Sequence, residues 1–176
     1  MRDIAQAAML LAMVQELRGH GSWSGETHLQ KAMYFLDKRC NKATGFDFVL
    51  YKHGPYSFDL HDTLSLLFAH CLLEHEISPP YGPRIRLTES GQKFLAQHCG
   101  HIAEAKPATS HVAAWFGDKG VSALEKLATA LWVRQEEPTA ADEHLAARIT
   151  SIKPHINQEE ALSALSALNA FPPVPA

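Results

Sequence analysis

Apolar residues in the first hundred positions recur with a helical period, then at every second position, then helically again. That order is the tightest constraint the chain places on its fold. Ile4, Ala7, Leu11 and Val14 share one helical stripe with Arg18, and Leu10 and Leu17 lie beside it. The spacing predicts an amphipathic helix over 4–18, stopped by Gly19 and Gly21. A second helix is predicted over about 27–40, with Leu29, Met33, Leu36 and Cys40 inward. Thr27 and Gln30 have the spacing of a capping box at its start. Phe46, Phe48 and Leu50 then alternate with Asp47, Val49 and Tyr51, which predicts a short extended segment. His53-Gly54-Pro55 ends it, and Pro55 suits the first position of a third helix over about 56–70. Residues 72–87 read as a hairpin with its tip at Pro79-Pro80-Tyr81-Gly82-Pro83. Thr88 is placed to cap a fourth helix over about 89–98.

Helix, helix, extended link, helix, hairpin, helix is the order of a winged-helix core. The expected fold class is therefore mostly α: a winged-helix-like core over 1–100 and a helical extension over 101–176. His101 to Ser110 reads as a linker with partial helix. Further helices are expected at about 110–116, 120–136, 139–151 and 158–170, the last with Asn157 and Glu160 as a capping box. The tail Pro172-Pro173-Val174-Pro175 is expected to fray. Trp115, Phe116, Leu124, Leu127, Leu131 and Trp132 could cover the core or join two copies; the reading favours a homodimer.

Composition narrows the function classes. Of 176 residues, 46% are hydrophobic, enough for one core, and the formal net charge is −3. Residues 1–100 carry ten Lys/Arg and ten Asp/Glu, and residues 101–176 carry six and nine. There is no basic excess of the kind that phosphate neutralisation requires. No apolar run approaches the ~20 residues of a membrane span. The short apolar run from Ala7 to Val14 lacks the features of a signal peptide, and the expected location is the cytoplasm. Cys40, Cys71 and Cys99 are odd in number and widely spaced, which argues against a disulfide framework. Cys40 and Cys71 fall on apolar stripes and read as buried thiols.

Tests for catalytic chemistry return nothing. The eleven histidines form no zinc-like spacing, and neither H-E-x-x-H nor C-x-x-C occurs. His61 and His70 are nine residues apart and so face opposite ways on one helix. Adjacent His70 and Cys71 do not make a dyad. Gly21-Ser22-Trp23-Ser24-Gly25 has Trp23 where a nucleophile elbow needs serine. No enzyme activity, metal or cofactor is expected.

Two stretches carry a family resemblance. Thr27-His28-Leu29-Gln30-Lys31-Ala32-Met33-Tyr34-Phe35-Leu36 resembles a helix of the YwgA-like and SocA-like (Panacea-domain) bacterial proteins. Tyr51-Lys52-His53-Gly54-Pro55-Tyr56-Ser57, with Leu60, resembles the turn that follows it there. Leu124-Glu125-Lys126-Leu127-Ala128 and Ile152-Lys153-Pro154-His155 are similar to the C-terminal helical part of the YwgA-like branch. The resemblance implies a winged-helix-like core. Panacea-type members act as antitoxins or proteolytic adaptors, so a protein partner is implied, such as a toxin encoded by a neighbouring gene. Tyr56-Ser57 departs from the valine-rich Panacea turn and places the chain nearer the YwgA-like branch.

The turn over 53–57 has a purely geometric reading, as a redirection of the chain. It also has a functional one. Lys31, Tyr34, Tyr51, His53, Gly54, Pro55, Tyr56 and Ser57 are the candidate partner-binding residues, since aromatics beside a few polar groups favour binding. The alternative function is a DNA-binding regulator using Lys38, Arg39, Lys42, Arg84 and Arg86. It is the weaker one. From Pro55 to Pro83 there is no Lys or Arg, and Asp59, Asp62, Glu74 and Glu76 lie there.

Overall fold

The computed structural model describes residues 2–174. Among them are eight α-helices: α1 (Arg2–Gly19), α2 (Glu26–Lys38), α3 (Phe58–Ala69), α4 (Glu89–Gln97), α5 (Lys106–Phe116), α6 (Val121–Glu136), α7 (Asp142–Ile152) and α8 (Gln158–Asn169). Four short strands form two antiparallel hairpins. In the first, β1 (Val49–Tyr51) pairs with β2 (Gly54–Tyr56), Leu50 opposite Pro55. In the second, β3 (Leu73–Glu76) pairs with β4 (Arg84–Leu87), His75 opposite Ile85. The protein is thus mostly α-helical, with a helical core, a hairpin between α3 and α4 in the position of a wing, and C-terminal helices.

Packing explains where the local readings failed. Helix α1 is not amphipathic: every residue from Ala7 to Val14 is buried. It lies against α2, α3, α4 and α5 together, so from Ile4 on its exposed positions begin only in the last turn, at Gln15. Helix α2 is equally enclosed, with His28 to Leu36 all buried against α1, α5, α6 and β2. Its N-cap is Gly25, and Thr27 does not cap it. Phe46, Phe48 and Leu50 do point inward, while Asp47, Val49 and Tyr51 are exposed. Pro55 is in β2, not in α3. The cap of α3 is Ser57, whose hydroxyl accepts from Leu60 N–H at 3.2 Å. At its other end Cys71 has φ +56 and is exposed, so it is no core thiol. The N–H groups of Cys71 and Leu72 close the helix by bonding the Phe68 and Leu67 carbonyls.

Thr88 caps α4, and Asn157 with Glu160 forms a reciprocal capping box on α8. The expected linker is structured: a 3-10 turn (Cys99–Ile102) leads into α5, with Ile102 and Ala105 buried. One continuous apolar cluster runs from Ala7 to Phe171. Phe116, Leu124, Leu127 and Leu131 belong to it, so these candidates for a dimer contact are spent within the chain. Part of the expected frayed tail is packed too. Pro172 accepts a bond from His111 at 2.9 Å and Val174 lies against the core, whereas Pro175 is outside the described residues.

Candidate functional site

Helix α2 delivers two polar side chains, Gln30 and Lys31, into a buried position beneath the first hairpin. Gln30 grips the backbone of Ser57 on both sides of its Cα. Its amide nitrogen donates to Ser57 O, and its Oε1 accepts from Ser57 N–H, both at 2.9 Å. Lys31 Nζ donates to Pro55 O at 2.7 Å. Pro55 is buried, and its carbonyl would otherwise lose its water without replacement. Gly54 has φ +84 and lies against α6: a Cβ there would stand 3.1 Å from Thr129 Oγ1 and 3.5 Å from Glu125 O. Only glycine takes this backbone region cheaply, so conformation and close approach both select it.

A second lysine completes the clamp. Lys153, the C-cap of α7, donates from Nζ to the carbonyls of Tyr51 and Lys52. Near Lys31 lies the carboxylate of Glu125 from α6, which is 7% exposed. Its Oε1 is 3.0 Å from His155 Nε2 and its Oε2 is 3.6 Å from His53 Nδ1. Burial pulls the Lys31 ammonium down to about 8, against the opposing pull of Glu125 and with added repulsion from Lys153.

Outside this clamp the hairpin presents an aromatic cluster. Tyr51 and Phe58 are 47% and 54% exposed. The rings of Tyr51, Tyr56 and Phe58 pack with centroids 5.1–5.8 Å apart. Tyr56 OH donates to Glu26 Oε1 at 3.2 Å, and the same oxygen lies 2.8 Å from His61 Nδ1. Partial desolvation, then the charge of Glu26 and this bond, push Tyr56 up to about 12. A cavity of about 330 Å³ under this cluster and one of about 490 Å³ toward the wing share Glu26, Thr27 and His61. Together they make one groove along the start of α2, between Tyr51 at one end and Trp23 at the other.

Of the predicted partner-binding residues, Tyr51, His53, Gly54, Pro55, Tyr56, Ser57 and Lys31 come together here. Tyr51 and His53 are exposed and Tyr56 is half-buried, while Lys31, Gly54, Pro55 and Ser57 are buried supports. Tyr34 does not join them at the surface. It is 1% exposed and packs against Phe48 and Trp132, and burial pushes its phenol pKa up. The alternative basic set is dispersed and largely occupied. Lys38 pairs with Asp37 at 2.8 Å, Arg39 covers the Phe171 ring, and Arg86 pairs with Glu74 at 2.9 Å. Arg84 bonds the Trp23 and Ser22 carbonyls, and Lys42 sits half-buried beyond α2.

The residue reading of the site missed Gln30, Glu125, Lys153, His155, Glu26 and Phe58. A signal for four of them was present: the stretches that carry the resemblance include Gln30, Glu125, Lys153 and His155, and all of those stretches meet at this site. Among the described residues no group of three or more His, Cys, Asp or Glu is placed to hold a metal ion, and no helix is long and apolar enough to cross a membrane. In comparison with known proteins, the chain matches no family model and no curated sequence.

Proposed function

We propose that the protein is a non-catalytic protein-interaction module of antitoxin or proteolytic-adaptor type, docking its partner on the first hairpin and the adjoining groove. The observation that carries this reading is the exposed cluster of Tyr51, Tyr56 and Phe58 on a backbone pinned from below at Tyr51, Lys52, Pro55 and Ser57. Large apolar rings held rigid in advance lose little freedom on binding, which is what interface anchors need. The similarity to YwgA-like and SocA-like proteins supports the same assignment. Glu26 bonds Tyr56 and Asp62 lies near it, exposed Asp59 follows Phe58, and Lys52 is the one lysine or arginine from Tyr51 to Pro83. The partner segment is therefore an apolar anchor flanked by basic residues. Cys71 and Cys99 are exposed free thiols, which suits a cytoplasmic setting.

DNA binding is the weaker alternative. It would seat α3 in the major groove, yet α3 exposes Asp59 and Asp62, and these repel phosphates.

Co-expression with the product of the adjacent gene, followed by co-purification, tests the proposal. A stable complex is expected, weakened about tenfold or more by Phe58→Ala. Gel shifts with genomic fragments at low salt and at about 200 mM salt check the alternative. Sequence-preferring, salt-sensitive binding to DNA would reverse the ranking.

A further inference from the structure

Beneath the aromatic cluster the hairpin does not close on α2. The cavity of about 330 Å³ reaches from exposed Tyr51 inward to Lys31, with Tyr56, Glu26 and His61 along its walls. That volume lies at the small end of small-molecule sites.

The charges around its inner end do not balance. Lys31 and Lys153 are 2% and 7% exposed, and the carboxylate acting on Lys31 is Glu125, itself 7% exposed. Two buried cations thus meet one buried anion. Lys153 spends hydrogen bonds on two turn carbonyls. Lys31 donates to Pro55 O, and an ammonium carries three N–H donors. The surplus positive charge therefore borders the cavity through Lys31, with exposed Lys52 also in the lining. The wall opposite sets a limit on the ligand: Glu26 is a carboxylate and disfavours a dianion such as phosphate. Tyr51 and Tyr56 add flat apolar surface, with ring centroids 5.8 Å apart.

From this geometry we infer that the cavity binds a small monoanionic carboxylate with a planar apolar body, the carboxylate on Lys31 Nζ and the body against Tyr51 and Tyr56. This goes beyond partner docking by adding a small-molecule ligand, and Tyr51 and Tyr56 border both the docking face and this cavity.

Titration calorimetry on the full chain tests it with three probes: N-acetylphenylalanine, its neutral amide and inorganic phosphate. The acid is expected to bind saturably, about tenfold or more tighter than the amide, because a charge-assisted hydrogen bond is lost in the amide. Phosphate is expected not to compete. Lys31→Met is expected to remove the preference for the acid, so that acid and amide bind alike. Raising the pH above the Lys31 value of about 8 should weaken the acid and not the amide. Glu125 from α6 with its partner His155, Lys153 from the end of α7, Tyr51, Lys52, His53 and Tyr56 from the hairpin, Glu26 from α2 and His61 from α3 also face this region. Lys31→Met retains all of them, so its own pH series is the control. Equal affinity for acid and amide, no saturation by either, preference for phosphate, or an unchanged acid affinity in Lys31→Met would each overturn the inference. Phe58 lies outside the cavity lining but packs on Tyr51 and Tyr56, so Phe58→Ala is expected to weaken partner docking while keeping the preference for the acid over the amide. Loss of partner docking and loss of ligand binding are thereby told apart.

Discussion

Burial of Lys31 makes the stability of the protein depend on pH in a defined window. Its folded pKa of about 8 lies below the ordinary lysine value of 10.5. Below about 8 the amine is charged in both states, and the burial penalty is fully present. Between about 8 and 10.5 the unfolded chain holds a proton that the folded chain has released, so stability rises with pH. The span corresponds to about 3 kcal/mol. Urea melts of wild type and Lys31→Met at neutral and alkaline pH read this directly. The difference between the two proteins should move in favour of wild type as the pH rises, and a flat difference would count against a buried, charged Lys31. Gly54 gives a second test at this scale. Gly54→Ala forces a side chain into φ +84 and toward Thr129 Oγ1 at 3.1 Å. A loss of about 1–3 kcal/mol is expected in thermal unfolding. The bare dipeptide Gly54-Pro55 shows that a turn is there, but not that α6 presses on it, because that contact joins positions far apart in the sequence.

Elements whose ends are signalled by their own residues were readable from the chain. Thr88 before α4 and the Asn157–Glu160 pair before α8 satisfy free N–H groups locally, and no distant residue is needed. Asn157→Ala should cost about 1 kcal/mol and Asn157→Gly only a few tenths, measured by chemical denaturation. Thr27 and Gln30 imitate the same motif, but Gln30 is drawn away to Ser57, and α2 starts from Gly25 without a side-chain cap. Pro55 as a helix start failed for a similar reason: Val49–Tyr51 pairs with Gly54–Tyr56, and three-residue strands leave too little alternation to announce a hairpin. The wing and α4 meet at Gly91, where a Cβ would fall 2.1 Å from Leu72 O. Gly91→Ala should therefore push α4 off the wing at a cost of roughly 3 kcal/mol or more, seen as a lowered unfolding midpoint. An ordinary midpoint would show that this contact is looser than the geometry states.

For the whole molecule, the division into a core over 1–100 and an extension over 101–176 follows sequence texture, while the apolar cluster runs through both. Helix α2 is enclosed by α5 and α6 on one side and α1 on the other. Residues 1–100 alone would expose Leu29, Met33 and Phe35, so that fragment is expected to unfold without cooperativity in a urea titration. The candidate site has the same long-range origin. Its aromatic face comes from one short stretch, in which Tyr51 and Tyr56 were visible in the sequence and Phe58 was not. Its clamp comes from α2, α6 and the end of α7, and single-sequence periodicity cannot bring those together. The claim that this clamp exists to hold a docking surface meets its most direct test in the affinity of the adjacent gene product for the double variant Tyr51→Ala/Phe58→Ala. A drop of about a hundredfold is predicted with the unfolding midpoint unchanged, because both side chains are exposed. Wild-type affinity in a folded double variant would contradict it.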